Sequence, residues 1–391
     1  MNTQLINNIK ETFTEKFNTE CVLISSPGRI NFIGGHTDYN EGFVLPAAID
    51  KGIIAGIQKT ENTFCTAFAL NKEETFTFSL DDDLQPIKNG NWKNFIIGVI
   101  AEIEKLGIKI KPFNIVFGGD IPDGSGLSSS AALENSIVFG LNTIFDLQLT
   151  KHQMILISQK AEHNYVGVKC GIMDQYASMF GEENSVLYLD CRTQKATPIQ
   201  LELGDYGLVL INSNVKHNLA EAAYNDRRSV CEKAAKMLHV PFLRDATLEN
   251  LSTLKNKLSK EDYLKAAYII EEIERTQFAA KALIENDLRK FGELLFKAHE
   301  GLRTKFKITC DELDFLIDKA KENPKVLGAR MMGGGFGGCT INVVHKEEIN
   351  NFIGEVTTTF HQKFNTKCSV EFIKLSQGTH QITKEILENE Y

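Results

Sequence analysis

No Cys-x-x-Cys pair, no run of about 18 apolar residues and no excess of basic side chains occurs in these 391 residues. Each absence excludes a class of protein. The eight cysteines stand singly, which argues against a zinc ribbon or a dithiol redox pair and reads as reduced, buried thiols. Without an apolar run of spanning length, no membrane helix is expected. A net charge of -8 lacks the basic face that a non-specific nucleic-acid binder needs, so no nucleic-acid partner is expected. Met1 to Lys10 shows neither the apolar centre nor the small-residue cleavage pattern of a secretory signal, and a cytoplasmic location is expected. Gly-x-Ser-x-Gly, His-Glu-x-x-His and Walker A signatures are missing as well.

What is present is enough apolar sequence, 42%, to bury a core over two domains. Leu5, Ile9, Phe13 and Phe17 fall on one helical face across 2–18. Short β-branched and aromatic runs follow at 21–25, 43–49, 53–58, 63–69, 75–80 and 113–121, with a helix expected over 92–106. Strands in succession with short connections point to an antiparallel or mixed sheet rather than βαβ alternation. After Ser128 the period changes, and Leu133, Ile137, Leu141, Ile144 and Phe145 share a helical face. Helices are expected at 151–165 and 171–180, and strands at 185–190 and 207–212. The polar segment Arg192–Leu203, with Pro198, reads as the connection between domains over 1–195 and 196–391. The second is helix-dominated (219–238, 260–285, 288–302, 310–322, 347–363), with two late strands at 339–344 and 368–374. Strands first and helices later give an α+β fold.

Three stretches carry polar groups beyond what a core or a solvated loop needs. Gly28-Arg-Ile-Asn-Phe-Ile-Gly-Gly-His-Thr-Asp38 places Arg29, Asn31, His36 and Asp38 among small and apolar residues, as a strand end and turn aimed into a pocket would. Asp120-Ile-Pro-Asp-Gly-Ser-Gly-Leu-Ser-Ser-Ser-Ala131 stands between a strand and a helix. Gly124 and Gly126 let backbone N–H groups approach a ligand, and Ser128, Ser129 and Ser130 sit at the positive end of the helix dipole, an anion site. Gly333-Gly-Gly-Phe-Gly-Gly338 matches Gly-x-Gly-x-x-Gly, but a helix-like stretch precedes it and a strand follows. A dinucleotide site needs the reverse order, so the glycines imply close packing against a loop or a ligand. In Ala161-Glu-His-Asn-Tyr-Val-Gly-Val-Lys-Cys-Gly-Ile-Met-Asp-Gln175, the carboxylate of Asp174 sits in apolar company and needs a cationic or metal partner. Arg29 is the first candidate, with His163 and His36 as alternatives.

Together these residues resemble the galactokinase family of the GHMP small-molecule kinases, nearly end to end. The resemblance rests on Pro27–Ile49, the Gly/Ser loop, Cys170–Gln175, Met331–Cys339, and Asn214-Val-Lys-His217 with Tyr224-Asn-Asp-Arg-Arg228. It implies a two-domain fold, a mixed-sheet N-terminal domain and a helix-rich C-terminal domain with a smaller sheet, with ATP and sugar in the cleft between. It implies transfer of the γ-phosphoryl group to the anomeric hydroxyl of a hexose. By that analogy Asp174 is the base and Arg29 orients it. Ser130 and Glu162 hold Mg²⁺, and Gly124, Ser125, Gly126, Leu127, Ser128, Ser129 and Ser130 wrap the phosphates. Gly35, His36, Thr37, Asp38 and Tyr224 meet the sugar. Sugar and ATP are the expected partners, with a monomer or weak homo-oligomer.

One position departs from the family pattern: Gly35 stands where the signature carries Glu, the residue expected at the C6 hydroxyl of galactose. Losing one charge-assisted hydrogen bond costs roughly 1.5–3 kcal/mol, or about 10- to 150-fold in binding. A kinase for a C6-modified galactose such as galacturonate is therefore a second reading. A non-catalytic galactose and ATP sensor is a third, weighed against the retention of Ser128–Ala131, Arg29 and Asp174.

Overall fold

The computed structural model describes residues 2–215 and 220–383. In the first half α1 (Thr3–Phe17) precedes strands β1 (Val22–Asn31), β2 (Phe43–Val44), β3 (Pro46–Lys59), β4 (Cys65–Ala69) and β5 (Glu74–Phe78). Helix α2 (Trp92–Glu104), strand β6 (Phe113–Gly119) and helices α3 (Ser129–Phe145), α4 (Lys151–Ala161) and α5 (Met173–Phe180) follow. Strands β7 (Ser185–Asp190), β8 (Lys195–Gln200) and β9 (Tyr206–Asn212) lead into α6 (Ala220–Met237), α7 (Leu248–Ser252), α8 (Lys260–Ile284), α9 (Leu288–Gly301) and α10 (Asp311–Glu322). Then come β10 (Val326–Met331), β11 (Cys339–His345), α11 (Ile349–Phe364), β12 (Ser369–Phe372) and β13 (His380–Gln381). Among the described residues no helix is long and apolar enough to cross a membrane.

The largest sheet has the order β13-β1-β3-β6-β4-β5 and is antiparallel except for the β4–β6 pair. Its two faces explain the helical periodicity on either side of it. Ile6, Ile9 and Phe13 of α1 cover one face against Leu23 and Val116. Ile96, Ile100, Ile137, Leu141 and Ile155 from α2, α3 and α4 cover the other against Ala55, Ile57 and Ile115. Each such large aliphatic side chain contributes roughly 1.5–3 kcal/mol on burial, the main term holding the layers together.

The expected α+β architecture is present, and three expectations change. Runs 43–49 and 53–58 are not two strands: Pro46–Lys59 is one long strand, able to bend because its partner β1 shifts register between Pro27 and Arg29. Arg192–Leu203 is not a free connection. It contains β8, which pairs with β7 across six residue pairs, Pro198 lying opposite Leu187. The stretch before the late glycines is strand β10, not helix, although Leu, Ala, Arg and Met favour helix. Packing overrides that preference, for β10 is buried along its length beside α9 and α10 and pairs antiparallel with β11. The rejection of a dinucleotide motif keeps one of its two grounds: a strand rather than a helix follows the glycines. Strand β13 also returns to pair with β1, so the last strand among the described residues belongs to the N-terminal sheet.

Candidate active site

Arg29 lies one residue past the register shift of β1, 4% exposed, where the strand runs under the 120–130 loop. Its backbone N–H donates to the Leu127 carbonyl at 3.0 Å, which ties strand and loop together. From there the guanidinium grips Asp174 with both arms. Nε donates to Oδ1 at 2.7 Å and Nη2 to Oδ2 at 2.9 Å, while Nη1 donates to the Gly126 carbonyl at 2.7 Å. A forked pair of this kind fixes the orientation of a carboxylate as well as its position. Asp174 takes a further bond from the Ser128 hydroxyl at 2.5 Å and keeps 23% of its side chain accessible. His163 is not its partner: its Nε2 lies 2.7 Å from the Cys170 carbonyl.

The loop itself is built for backbone donors. Gly124 and Gly126 take positive φ of 70° and 73°, and Ser128 caps α3 in the left-handed region at φ 58°. A left-handed serine costs conformational energy, which its hydroxyl bond to Asp174 helps offset. The glycine run of 333–338 packs against this loop. A Cβ on Gly333 would lie 3.1 Å from the Gly126 Cα, and one on Gly338 would lie 3.3 Å from the Ser125 carbonyl oxygen. Only glycine permits both the positive φ and that approach.

A cleft of about 270 Å³ is lined by Gly124 to Ser130, Arg29, Asp174, Glu162, Gly35, His36, Asp38, Tyr224, Arg330 and the 333–334 backbone. A larger cavity of about 910 Å³ adjoins it, with Ser129 and Ser130 in both linings, and is lined also by Trp92, Phe95, Phe117, Asn71, Asn89 and Asn91. Thr37 does not join the cleft lining; its hydroxyl donates to the Gly34 and Phe43 carbonyls at 2.9 and 2.7 Å and holds the turn. Lys216 and His217 lie outside the described residues.

Electrostatics divides the cleft. Burial pushes the Asp38 carboxyl up to about 6, with Asp174 adding repulsion. Asp38 owes its place to Gly171, where a Cβ would lie 2.0 Å from its Oδ2. Burial drives the His36 imidazole down to about 3, so it enters hydrogen bonds as a neutral ring; Nδ1 lies 2.9 Å from the Tyr39 hydroxyl, and the ring packs on Tyr224 at 4.9 Å. Glu162 opens the π-helical turn Glu162–Val166 that ends α4. Burial and Asp174 raise its carboxyl to about 7, against hydrogen bonds from Ser130, Cys170 and Gln175. Glu134, fully buried on α3, is held well above the usual carboxylate range by burial and Glu162, and receives Gln175 Nε2 at 3.2 Å. Among the described residues no three His, Cys, Asp or Glu side chains converge as a metal centre.

Four site residues were not singled out from sequence: Glu134, Gln175 as a bridge between Glu134 and Glu162, Gly171 as the seat of Asp38, and Arg330. Arg330 had one available signal, a lone arginine in the apolar run Val326–Met332.

A forked Arg–Asp pair beside a glycine loop at a helix N-terminus, with two adjoining cavities, is the layout of a small-molecule kinase. The family comparisons agree: residues 94–182 match the GHMP kinases N terminal domain and residues 279–362 the GHMP kinases C terminal. The fold extends to a mevalonate kinase of Methanococcus jannaschii, TM-score 0.64 at 17% identity over 92% of this chain and 99% of that one. Within that class, residues 11–59 match the galactokinase galactose-binding signature. Galactokinase of Thermosipho africanus is 39% identical over 92% of this chain and 99% of its own length; that of Clostridium perfringens is 38% identical over 96% and 100%. The crystal structure of Lactococcus lactis galactokinase complexed with galactose superposes with a TM-score of 0.93 at 33% identity, covering 96% of this chain and all of that one. The chain belongs to the galactokinase family.

Proposed function

We propose that this enzyme transfers the γ-phosphoryl group of ATP to the anomeric C1 hydroxyl of α-D-galactose, giving galactose 1-phosphate and ADP. The observation that carries the reading is the Arg29–Asp174 fork, set in one cleft with the N-terminus of α3 and its glycine loop. Phosphoryl transfer asks a protein mainly for positioning and for charge stabilisation. Asp174 accepts the proton of the C1 hydroxyl, and Arg29 and Ser128 hold its two oxygens so that one lone pair faces the acceptor. Backbone N–H groups of 124–130 and the positive end of α3 receive the phosphates. The nucleoside occupies the larger cavity, with Trp92 and Phe95 for the base. Asp38, neutral His36 and Tyr224 take the ring hydroxyls on the sugar side.

Mg²⁺ fits this site as an ion shared with the nucleotide. Glu162 is a buried carboxylate with no cation paired to it among the described residues, bonded to the Ser130 hydroxyl, and oxygen donors of this kind suit Mg²⁺ when phosphates complete the shell. The ion would neutralise phosphate charge there. A sugar panel scored by ADP release tests the reading, with Asp174→Asn as the control. Galactose should turn over, and the Asn variant should lose turnover while retaining measurable sugar binding. Near-normal turnover by that variant overturns the base assignment.

A further inference from the structure

Arg330, the penultimate residue of β10, is only 1% exposed, yet it lines the sugar side of the cleft beside Gly35 and His36. Its Nη1 donates to the Phe32 carbonyl at 3.1 Å, its Nε has no hydrogen-bond partner, and it forms no ion pair among the described residues. The carboxylate of Glu272, which shares the Tyr268 region with Arg330, is already held by Arg275 and by the Gly34 N–H at 3.0 Å. A buried guanidinium with so few partners is costly, and a ligand carboxylate would relieve it.

Gly35 is what turns this charge toward the ligand. A Cβ there would come within 2.7 Å of Arg330 Nη2 and 3.8 Å of Cζ, and would meet nothing else within 4 Å. The Gly35 φ lies outside the left-handed region, so backbone geometry does not demand a glycine. Its consequence is the missing side chain: the Arg330 guanidinium lies against the Gly35 backbone in the cleft lining, where a side chain would otherwise cover it. Arg29, the other guanidinium in the cleft, is spent on Asp174 and Gly126, and Asp38 and Asp174 repel an anion elsewhere.

We propose that Gly35 and Arg330 form an anion-accepting subsite that admits hexuronic acids as phosphoryl acceptors alongside the neutral hexose. The inference rests on the sugar-kinase reading above. In a pyranose whose C1 hydroxyl is the acceptor, C6 is the carbon that carries a carboxylate with the ring intact. That carboxylate is a spectator: the C1 oxygen gains the phosphoryl group, ADP leaves, and the proton of the C1 hydroxyl goes to Asp174.

The test measures ADP release by the full chain with galactose, galacturonic acid and galactose 6-phosphate, for the parent, Gly35→Glu and Arg330→Met. Galacturonic acid should turn over with kcat/KM within about tenfold of galactose. Gly35→Glu, which supplies Arg330 with an internal carboxylate, should shift the galactose-to-galacturonate ratio toward galactose by about 10- to 100-fold. Arg330→Met should shift it the same way, and Gly35→Glu keeps the proposal testable if that variant does not fold. Galactose turnover with no turnover or competition by galacturonic acid overturns the subsite and leaves the kinase reading intact. Galacturonic acid turnover without galactose turnover keeps the subsite and overturns the galactose reading. A preference for galactose 6-phosphate over galacturonic acid overturns the carboxylate assignment.

Discussion

Replacing Arg29 with lysine asks whether the cleft needs a positive charge beside Asp174 or a fork. The guanidinium makes three bonds at once, two to Asp174 at 2.7 and 2.9 Å and one to the Gly126 carbonyl at 2.7 Å. A lysine ammonium keeps the charge but offers its donors from a single nitrogen, which cannot span both carboxylate oxygens and the loop carbonyl. With one charge-assisted bond retained and the rest lost, about 2–4 kcal/mol of orientation disappears, or roughly 30- to 1000-fold in kcat. Separate kcat and KM values from coupled ADP release, with a thermal melt for folding, give the readout. The loss should fall on kcat. In a cycle with Asp174→Asn, the double variant should be hardly worse than Asp174→Asn alone, because the two groups act as a unit. Arg29→Lys turnover within about threefold of the parent, in a protein that Asp174→Asn inactivates, would refute the claim that the fork orients the base.

Glu162 links pH to stability. Its carboxyl is raised from 4.5 to about 7, so the native state holds its proton more tightly than the unfolded chain, and the group's effect on stability worsens as pH rises from 4.5 through 7. Glu162→Gln in Mg²⁺-free buffer should therefore raise unfolding free energy by about 3 kcal/mol at pH 8 and less than about 1 kcal/mol at pH 5, read by denaturant melts at both values. An equal effect at both pH values contradicts the assignment. Asp38 is raised to about 6, and its ionised form is the stronger acceptor for a sugar hydroxyl. Sugar affinity by calorimetry should be flat above pH 7 and fall toward tenfold per unit below 6. Gly171→Ala would place a Cβ 2.0 Å from Asp38 Oδ2, so KM for the sugar should rise more than about tenfold with a smaller change in kcat. An unchanged KM would mean that Asp38 does not meet the sugar.

Local patterns in the sequence announced most of the scaffold. Apolar content and spacing marked α1, α2, α3 and the long α8 within a few residues, because α1 and α8 bury one face and α2 and α3 are buried nearly all round. The errors cluster where tertiary packing outweighs local preference. β8 lies at the edge of a three-stranded sheet and reads as a polar connection because its outward residues are charged or polar. β10 reads as helix because its residues favour helix individually, while its burial beside α9, α10 and β11 depends on segments distant in sequence.

The site divides along the same line. Chemistry held in one short motif was legible, as with the glycines and serines of 124–130, or Asp174 in its apolar setting. Pairings across the fold were not. Arg29 and Asp174 are 145 residues apart, and only a search for a cation to match a half-buried carboxylate connects them in advance. Gly35 and Arg330 go further, since neither is informative alone. A glycine in a turn and an arginine in an apolar strand each have ordinary explanations. Their contact makes one unusual fact, a buried guanidinium in the cleft lining with no ion pair among the described residues. A missing carboxylate looks like a deletion of specificity in the sequence. In three dimensions it leaves the Arg330 guanidinium uncovered, and the subsite proposed above would admit an anionic sugar beside the neutral one.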